Sequence, residues 1–150
     1  MNFEYPKNIR FLCNGCALCC GDTDFRVRTI VLLEAEAAQI SKATLKDIPE
    51  FAEKKNGLHP YAYLMRKDGQ GKCFFLKEKR CSIYEIRPLV CEFYPFELMV
   101  SEYGKYVFNY TCECPNVGKG HMVQKSVFEK LFRKSSEMLS SYQHKENMKT

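Results

Sequence analysis

The stretch Cys13-Asn14-Gly15-Cys16-Ala17-Leu18-Cys19-Cys20 puts four thiols into eight residues. Cys13, Cys16 and Cys19 follow one another at strict x₂ spacing. A short irregular loop with that spacing can wrap around one centre and aim successive sulfurs at it. Cys20 directly follows Cys19. Neighbouring side chains on an extended backbone point to opposite sides, so this pair does not easily serve one tetrahedral ion. It is placed to serve two centres, one on each side of the loop.

Zinc knuckles use this x₂ spacing, and so do the first three cluster ligands of bacterial ferredoxins. Cys73, Cys81, Cys91, Cys112 and Cys114 raise the total to nine, one more than two four-thiolate sites need. Cys114-Pro115 also supplies the Cys-Pro step that closes a ferredoxin-like signature. A disulfide framework would need an oxidising compartment. Residues Met1 to Arg10 have no apolar h-region, which argues against export. Buried reduced cysteines used as small hydrophobes could explain one or two scattered positions. They do not explain four in eight, so the cysteines read as metal or cluster ligands.

A chain of 150 residues suggests a single domain, 1–150, with a modest core. Its 45% hydrophobic and 27% charged residues are ordinary for a globular protein. The longest apolar run is far too short for a membrane span, and a cytoplasmic location follows as the expectation. The formal charge of +5 counts cysteines as neutral. Two four-thiolate centres contribute about −4 and leave about +1. The basicity therefore offsets the expected centres, and nucleic acid is disfavoured as a partner. Metal ions are the expected partners, with room for a protein partner and none for a membrane.

The fold expected is α+β, with short antiparallel hairpins, several helices and a long C-terminal helix around a cysteine metal centre. Phe25 to Ile30 alternates apolar and polar residues, which predicts a half-buried strand. Leu32 to Ala43 predicts a helix with Leu33, Ala37 and Ile40 on one face, and Leu45 to Lys55 a second, closed by Asn56-Gly57. A hairpin is expected from Tyr61–Lys67 and Lys72–Lys77 around Asp68-Gly69-Gln70-Gly71. Glu78-Lys79-Arg80 is a turn that delivers Cys81. Pro88 opens a short helix carrying Leu89, Val90, Cys91 and Phe93. A second hairpin joins Glu97–Glu102 to Lys105–Tyr110. Gly118-Lys119-Gly120 reads as a loop feeding a last helix from about 121 to 142. Its apolar stripe runs through Val123, Val127, Phe128, Leu131, Phe132, Met138, Leu139 and Tyr142. Residues 144–150 form a polar tail.

Several stretches match a known family. Cys13 to Cys20, then Cys73-Phe74, Cys81-Ser82-Ile83-Tyr84-Glu85-Ile86-Arg87-Pro88, Cys91, Tyr94-Pro95 and Cys114-Pro115 with Val117-Gly118-Lys119-Gly120 resemble the CxxCxxCC cysteine-cluster family. That zinc- or iron-chelating family is often labelled YkgJ-type. The resemblance spans about 13–120. It implies eight metal ligands: Cys13, Cys16, Cys19, Cys20, Cys73, Cys81, Cys91 and Cys114. It implies a metal-binding protein holding zinc or an iron–sulfur centre. Longer relatives include flagellin lysine methylases, so the alternative is a metal-dependent enzyme, either an S-adenosylmethionine-dependent protein lysine methyltransferase or a redox protein. Glu92, Asn116 and the additional Cys112 depart from the pattern. Cys112 is expected to be a spare, half-buried thiol.

No catalytic set is assigned. Arg87 is a candidate cation for the thiolates of Cys81 or Cys91, or one half of an ion pair with Glu85 or Glu92. Tyr84 and Tyr94 are expected in an aromatic core. His59, His121 and His144 are isolated. The chain lacks G-x-G-x-x-G, Walker spacing and the C-x₃-C-x₂-C of a radical enzyme.

Overall fold

The computed structural model describes residues 2–13, 15–24 and 26–149, with side chains as far as Leu139. It is a small α+β protein whose described residues form short sheets and four α-helices. The chain divides into two compact units, Met1–Asn14 with Phe93–Thr150, and Gly15–Glu92.

The Gly15–Glu92 unit is built around β3 Val31–Leu32, α1 Glu34–Thr44, α2 Ile48–Phe51, β4 Ala52–Lys54 and β5 Tyr63–Met65, with β6 Leu76–Lys77, β7 Arg80–Cys81 and α3 Leu89–Phe93 following. α1 forms as its periodicity predicts: Leu33, Ala37 and Ile40 are all buried. Glu36 ends the exposure of the first turn, because its Oε1 accepts the Leu33 backbone N–H at 2.9 Å. That bond satisfies one of the donors a helix start leaves open. The core gathers Ile30, Leu32, Ala37, Ile40, Phe51, Ala52, Met65, Cys73, Phe75 and Ile83.

Three expectations in this unit are corrected. The helix over 45–55 shrinks to Ile48–Phe51, and Ala52–Lys54 pairs antiparallel with β5 instead. There Phe51 and Ala52 are both fully buried. β5 lies between β3 and β4, and not against Lys72–Lys77. Of the expected hairpin, only the turn and a single Lys67–Cys73 bridge form. The strand expected at 25–30 falls at Val31–Leu32; Phe25 lies outside the described residues, and 26–30 is irregular. The β6–β7 turn over Glu78-Lys79 does deliver Cys81 to a strand, with positive φ at both turn residues.

The other unit holds β1 Phe3–Glu4, β2 Arg10–Phe11, β8 Phe96–Val100, β9 Tyr106–Tyr110, β10 Val117–Met122 and α4 Lys125–Lys149. β8 and β9 form the second expected hairpin, and β1 adds to β9 in parallel. The Gly118-Lys119-Gly120 segment is part of a strand, β10, bulged against β2 and not a loop. A side chain at Gly120 would meet Leu12 Cβ, so close approach of β2, together with a positive φ, requires glycine there. α4 therefore starts at Lys125, later than expected, and runs to Lys149. Its buried face centres on Phe128 and Leu131. Phe128 packs on Tyr5, Phe96 and Phe108, with ring centroids 5.2, 4.9 and 5.1 Å away. Val127 falls outside that face and is exposed, while Ser135 is buried and donates to the Phe132 carbonyl. The Tyr142 side chain lies outside the described residues.

Candidate metal centre

The cysteine loop is shaped by Gly15 and Ala17, both at positive φ, followed by a single 3-10 turn over Leu18–Cys20. Asn14 lies outside the described residues. Three successive carbonyls of this turn are each taken by a donor. Arg26 Nη2 donates to Leu18 O at 2.7 Å. Arg28 Nε donates to Cys19 O at 3.0 Å. The Cys73 backbone N–H donates to Cys20 O at 2.6 Å. Every one of these acceptors would otherwise need water or another partner.

The arginines reach the loop because 26–30 alternates in the sense opposite to the expectation. Val27 is 74% exposed, whereas Arg26 and Arg28 are half-buried and Ile30 is buried. The even positions face inward, and two of them are cations that cap loop carbonyls.

The loop is stitched to the turn that carries Cys73. Gly21 bridges Lys72, and the Asp22 N–H donates to Gly71 O at 2.9 Å. A Cβ at Gly21 would sit 2.8 Å from Gly71 O and 2.9 Å from Lys72 Cα. Those are backbone atoms that cannot swing away, so the contact requires glycine. The Asp22 carboxylate accepts the Arg28 N–H at 2.7 Å and the Lys67 ammonium at 2.9 Å. The Lys67 and Lys72 ammoniums and these donors hold it below the usual aspartate range.

Five cysteines from four separate segments gather in this unit. Cys19 and Cys20 come from the loop, Cys73 from the turn, Cys81 from β7 and Cys91 from α3. Cys73 belongs to the buried core, and Cys20, Cys81 and Cys91 pack against that core. The Cys20 thiol donates to the Cys19 sulfur and lowers the Cys19 pKa; burial opposes this, and Arg28 and Arg26 assist it. Cys20 is raised by the same hydrogen bond, by burial and by the charges of Cys19, Cys81 and Cys73. Burial also raises Cys73 and Cys81, and pushes the Cys91 thiol up to about 12. On Cys91 the strongest opposing influence is Arg28. Burial makes lone thiolates costly here, and a bound cation removes that cost.

The remaining cysteines are placed differently. Cys16 is exposed. Cys13 and Cys112 belong to the other unit and are exposed; Cys114 belongs to it as well and is buried. Cys112 is thus more open than the half-buried position expected of it. None of the nine cysteines is in a disulfide. Among the described residues, no three Cys, His, Asp or Glu side chains are already arranged as a metal site. The donor set itself suits a soft or borderline metal, because all five gathered groups are sulfurs.

One side-chain expectation changes, that for Tyr84, while Arg87 keeps an expected place near Cys81. Arg87 stacks on Tyr84, its guanidinium carbon 4.1 Å from the ring centroid, and donates to the Tyr84 carbonyl. Its charge reaches Cys81. Tyr84 is 53% exposed, so it is not an aromatic core residue. Arg28, which influences Cys19, Cys73 and Cys91, was not singled out in the sequence. The signal for it was parity: it lies two residues after Arg26 and two before the buried Ile30.

A family model described as "CxxCxxCC: Putative zinc- or iron-chelating domain" matches residues 12–115. The chain belongs to the CxxCxxCC family. The match covers the cysteine loop, the Cys73 turn, β7, α3 and Cys114. Two similar curated proteins come from Methanocaldococcus jannaschii. The uncharacterized protein MJ0661 is 30% identical over 108 residues, 71% of this chain and 55% of its own length. The uncharacterized protein MJ0939 is 27% identical over 128 residues, 82% of this chain and 42% of its own length. The chain thus spans about half the length of these relatives. No solved structure gives a significant match. No helix among the described residues is long and apolar enough to cross a membrane.

Proposed function

We propose that this CxxCxxCC protein is a metal-binding module that holds zinc or an iron–sulfur centre through Cys13, Cys16, Cys19, Cys20, Cys73, Cys81, Cys91 and Cys114. The whole chain acts as one domain in this reading, and a reducing compartment such as the cytoplasm keeps its thiols available. The observation that supports it is that Cys20, Cys73, Cys81 and Cys91, from distant parts of the sequence, come to one buried core, with Cys19 beside Cys20 on the loop. Burial resists ionisation of Cys73 and Cys91, and the nearby Arg28 charge offsets part of that resistance. The C-x₂-C-x₂-C run and the distant Cys-Pro step favour iron–sulfur over zinc.

In this reading the 3-10 turn presents adjacent sulfurs, the Cys73 turn and β7 bring further donors, and α3 brings Cys91. A resident metal supplies a positive centre that keeps the sulfurs ionised. The test is metal and sulfide content per chain, measured after purification without oxygen. Stoichiometric iron with sulfide, or stoichiometric zinc, supports the reading and decides between the metals. A folded chain with neither overturns it.

A further inference from the structure

The turn over Leu18–Cys20 is not one its own residues favour. The chain enters it through Ala17 at φ 62°, and no side chain caps it. A left-handed residue other than glycine is disfavoured, and a lone 3-10 turn has poorer hydrogen-bond geometry than an α-helix. Its internal backbone bond runs from the Cys20 N–H to Ala17 O at 3.0 Å. The further hold on it comes from outside the turn.

Two of the outside donors belong to one short segment. The chain doubles back where Thr23 and Arg26 pair, the Thr23 N–H donating to Arg26 O at 2.9 Å. The Arg28 backbone is pinned at both ends, its N–H to Asp22 Oδ1 at 2.7 Å and its carbonyl to the Lys67 ammonium at 3.1 Å. From these fixed points the side chains reach back eight and nine residues, Arg26 Nη2 to Leu18 O at 2.7 Å and Arg28 Nε to Cys19 O at 3.0 Å. Bonds from a charged donor are stronger than neutral ones, and a guanidinium stays charged at any accessible pH. Both ends of every one of these bonds are protein atoms, so none of them requires a metal.

We propose that Arg26 and Arg28 are positioning residues that set the turn before metal arrives, so that Cys19 and Cys20 are presented from a preformed loop. This rests on the metal-binding reading above and adds an order of events to it, loop first and metal second. A loop already ordered loses less freedom when it binds, and holds its ligand more tightly for that reason. The arginines act through the backbone that carries the two sulfurs.

The experiment measures amide hydrogen exchange by NMR on the full, reduced chain without metal, then titrates the same samples with Co²⁺ alone, without oxygen. Wild type, the double variant Arg26→Met with Arg28→Met, and the exposed-neighbour variant Val27→Gln are compared. Methionine keeps an unbranched stem and removes the donors. In wild type the Cys20 and Cys73 amides, bonded to Ala17 O and Cys20 O, are expected to exchange slowly before any metal is added. The double variant is expected to lose about tenfold or more of that protection while the Ala37 amide of α1 keeps its own, a local opening and not a global one. Its apparent Co²⁺ affinity is expected to fall by about 10- to 100-fold, the usual size for residues that support metal ligands. Val27→Gln is expected to match wild type in both readouts. Unprotected Cys20 and Cys73 amides in metal-free wild type overturn the proposal even where Co²⁺ binds. So does a double variant with wild-type protection, with a loss spread equally to Ala37, or with unchanged Co²⁺ affinity. Should the double variant not fold, the single variants Arg26→Met and Arg28→Met take its place, and no local loss in either overturns the proposal. A wild-type chain that binds no Co²⁺ overturns the metal reading and this proposal with it.

Discussion

Glu36 and Leu89, 53 residues apart, are joined by a hydrogen bond of 2.6 Å from the Leu89 backbone N–H to Glu36 Oε2. The other oxygen of the same carboxylate accepts the Leu33 N–H. One buried side chain, 6% exposed, thus serves the starts of both α1 and α3. Since α3 carries Cys91, the packing of α1 determines where one sulfur stands.

Glutamine at position 36 keeps the shape but replaces one acceptor with a donor, and loses the charge. Hydrogen bonds to charged groups contribute about 1.5–3 kcal/mol each. Glu36→Gln is therefore expected to lower stability by about 2 kcal/mol, read from urea denaturation of the reduced chain. An unchanged midpoint would show that the bridge contributes nothing.

Gly21 and Gly69 make a matched pair. Alanine at 21 meets backbone atoms of Gly71 and Lys72, whereas a Cβ at 69 has nothing within 4 Å. Gly21→Ala is expected to cost about 1–3 kcal/mol, as overpacking does. Gly69→Ala is expected to stay within about 1 kcal/mol of wild type. Thermal melts of the two variants side by side check this; equal effects would contradict the close approach of the loop to the Cys73 turn.

The Asp68 carboxylate accepts the backbone N–H groups of Lys72 and Gln70, and these bonds hold its pKa below the ordinary aspartate value. A folded value below the unfolded one means the stabilisation is complete above the unfolded pKa, near 4. It is lost as pH falls through the lower folded value. Side-chain NMR titration should place the Asp68 midpoint below that of a free aspartate, and Asp68→Asn should remove that portion of the acid sensitivity.

Cys112 and Cys114 are two residues apart but differ in burial, exposed against buried. Cys112→Ser is expected to leave metal content unchanged and to alter stability by no more than about 0.5 kcal/mol, as exposed substitutions do. Cys114→Ser is expected to lower metal content per chain. Metal analysis of both proteins tests the assignment, and the reverse outcome would shift the ligand register by two.

Where one physical demand dominated, the structure was legible in the sequence. Leu33, Ala37 and Ile40 repeat at helical spacing and had only a core to face, so α1 formed as read. The β8–β9 hairpin followed from two runs flanking Tyr103-Gly104. Where a second demand competed, the reading failed. Ala52–Lys54 has no strong strand signal of its own; it is a strand because β5 offers it a partner. Gly118 and Gly120 read as loop residues, yet both sit in β10 at positive φ, and at Gly120 the close approach of Leu12 also requires glycine. For the site, the cysteine motif revealed the chemistry. It could not reveal Arg28, because hydropathy treats an arginine in an alternating run as the solvent side.

The inverted alternation at Arg26-Val27-Arg28 has a consequence for anyone who edits this protein. Composition is blind to parity: exchanging residues 27 and 28 would leave it untouched. Yet that exchange would turn a valine toward the carbonyls of the sulfur loop and a guanidinium toward bulk water. What the chain conceals in this segment is charge, and what it displays is hydrocarbon. A redesign guided by hiding apolar groups would repair a fault that does not exist and disconnect the loop from its anchor.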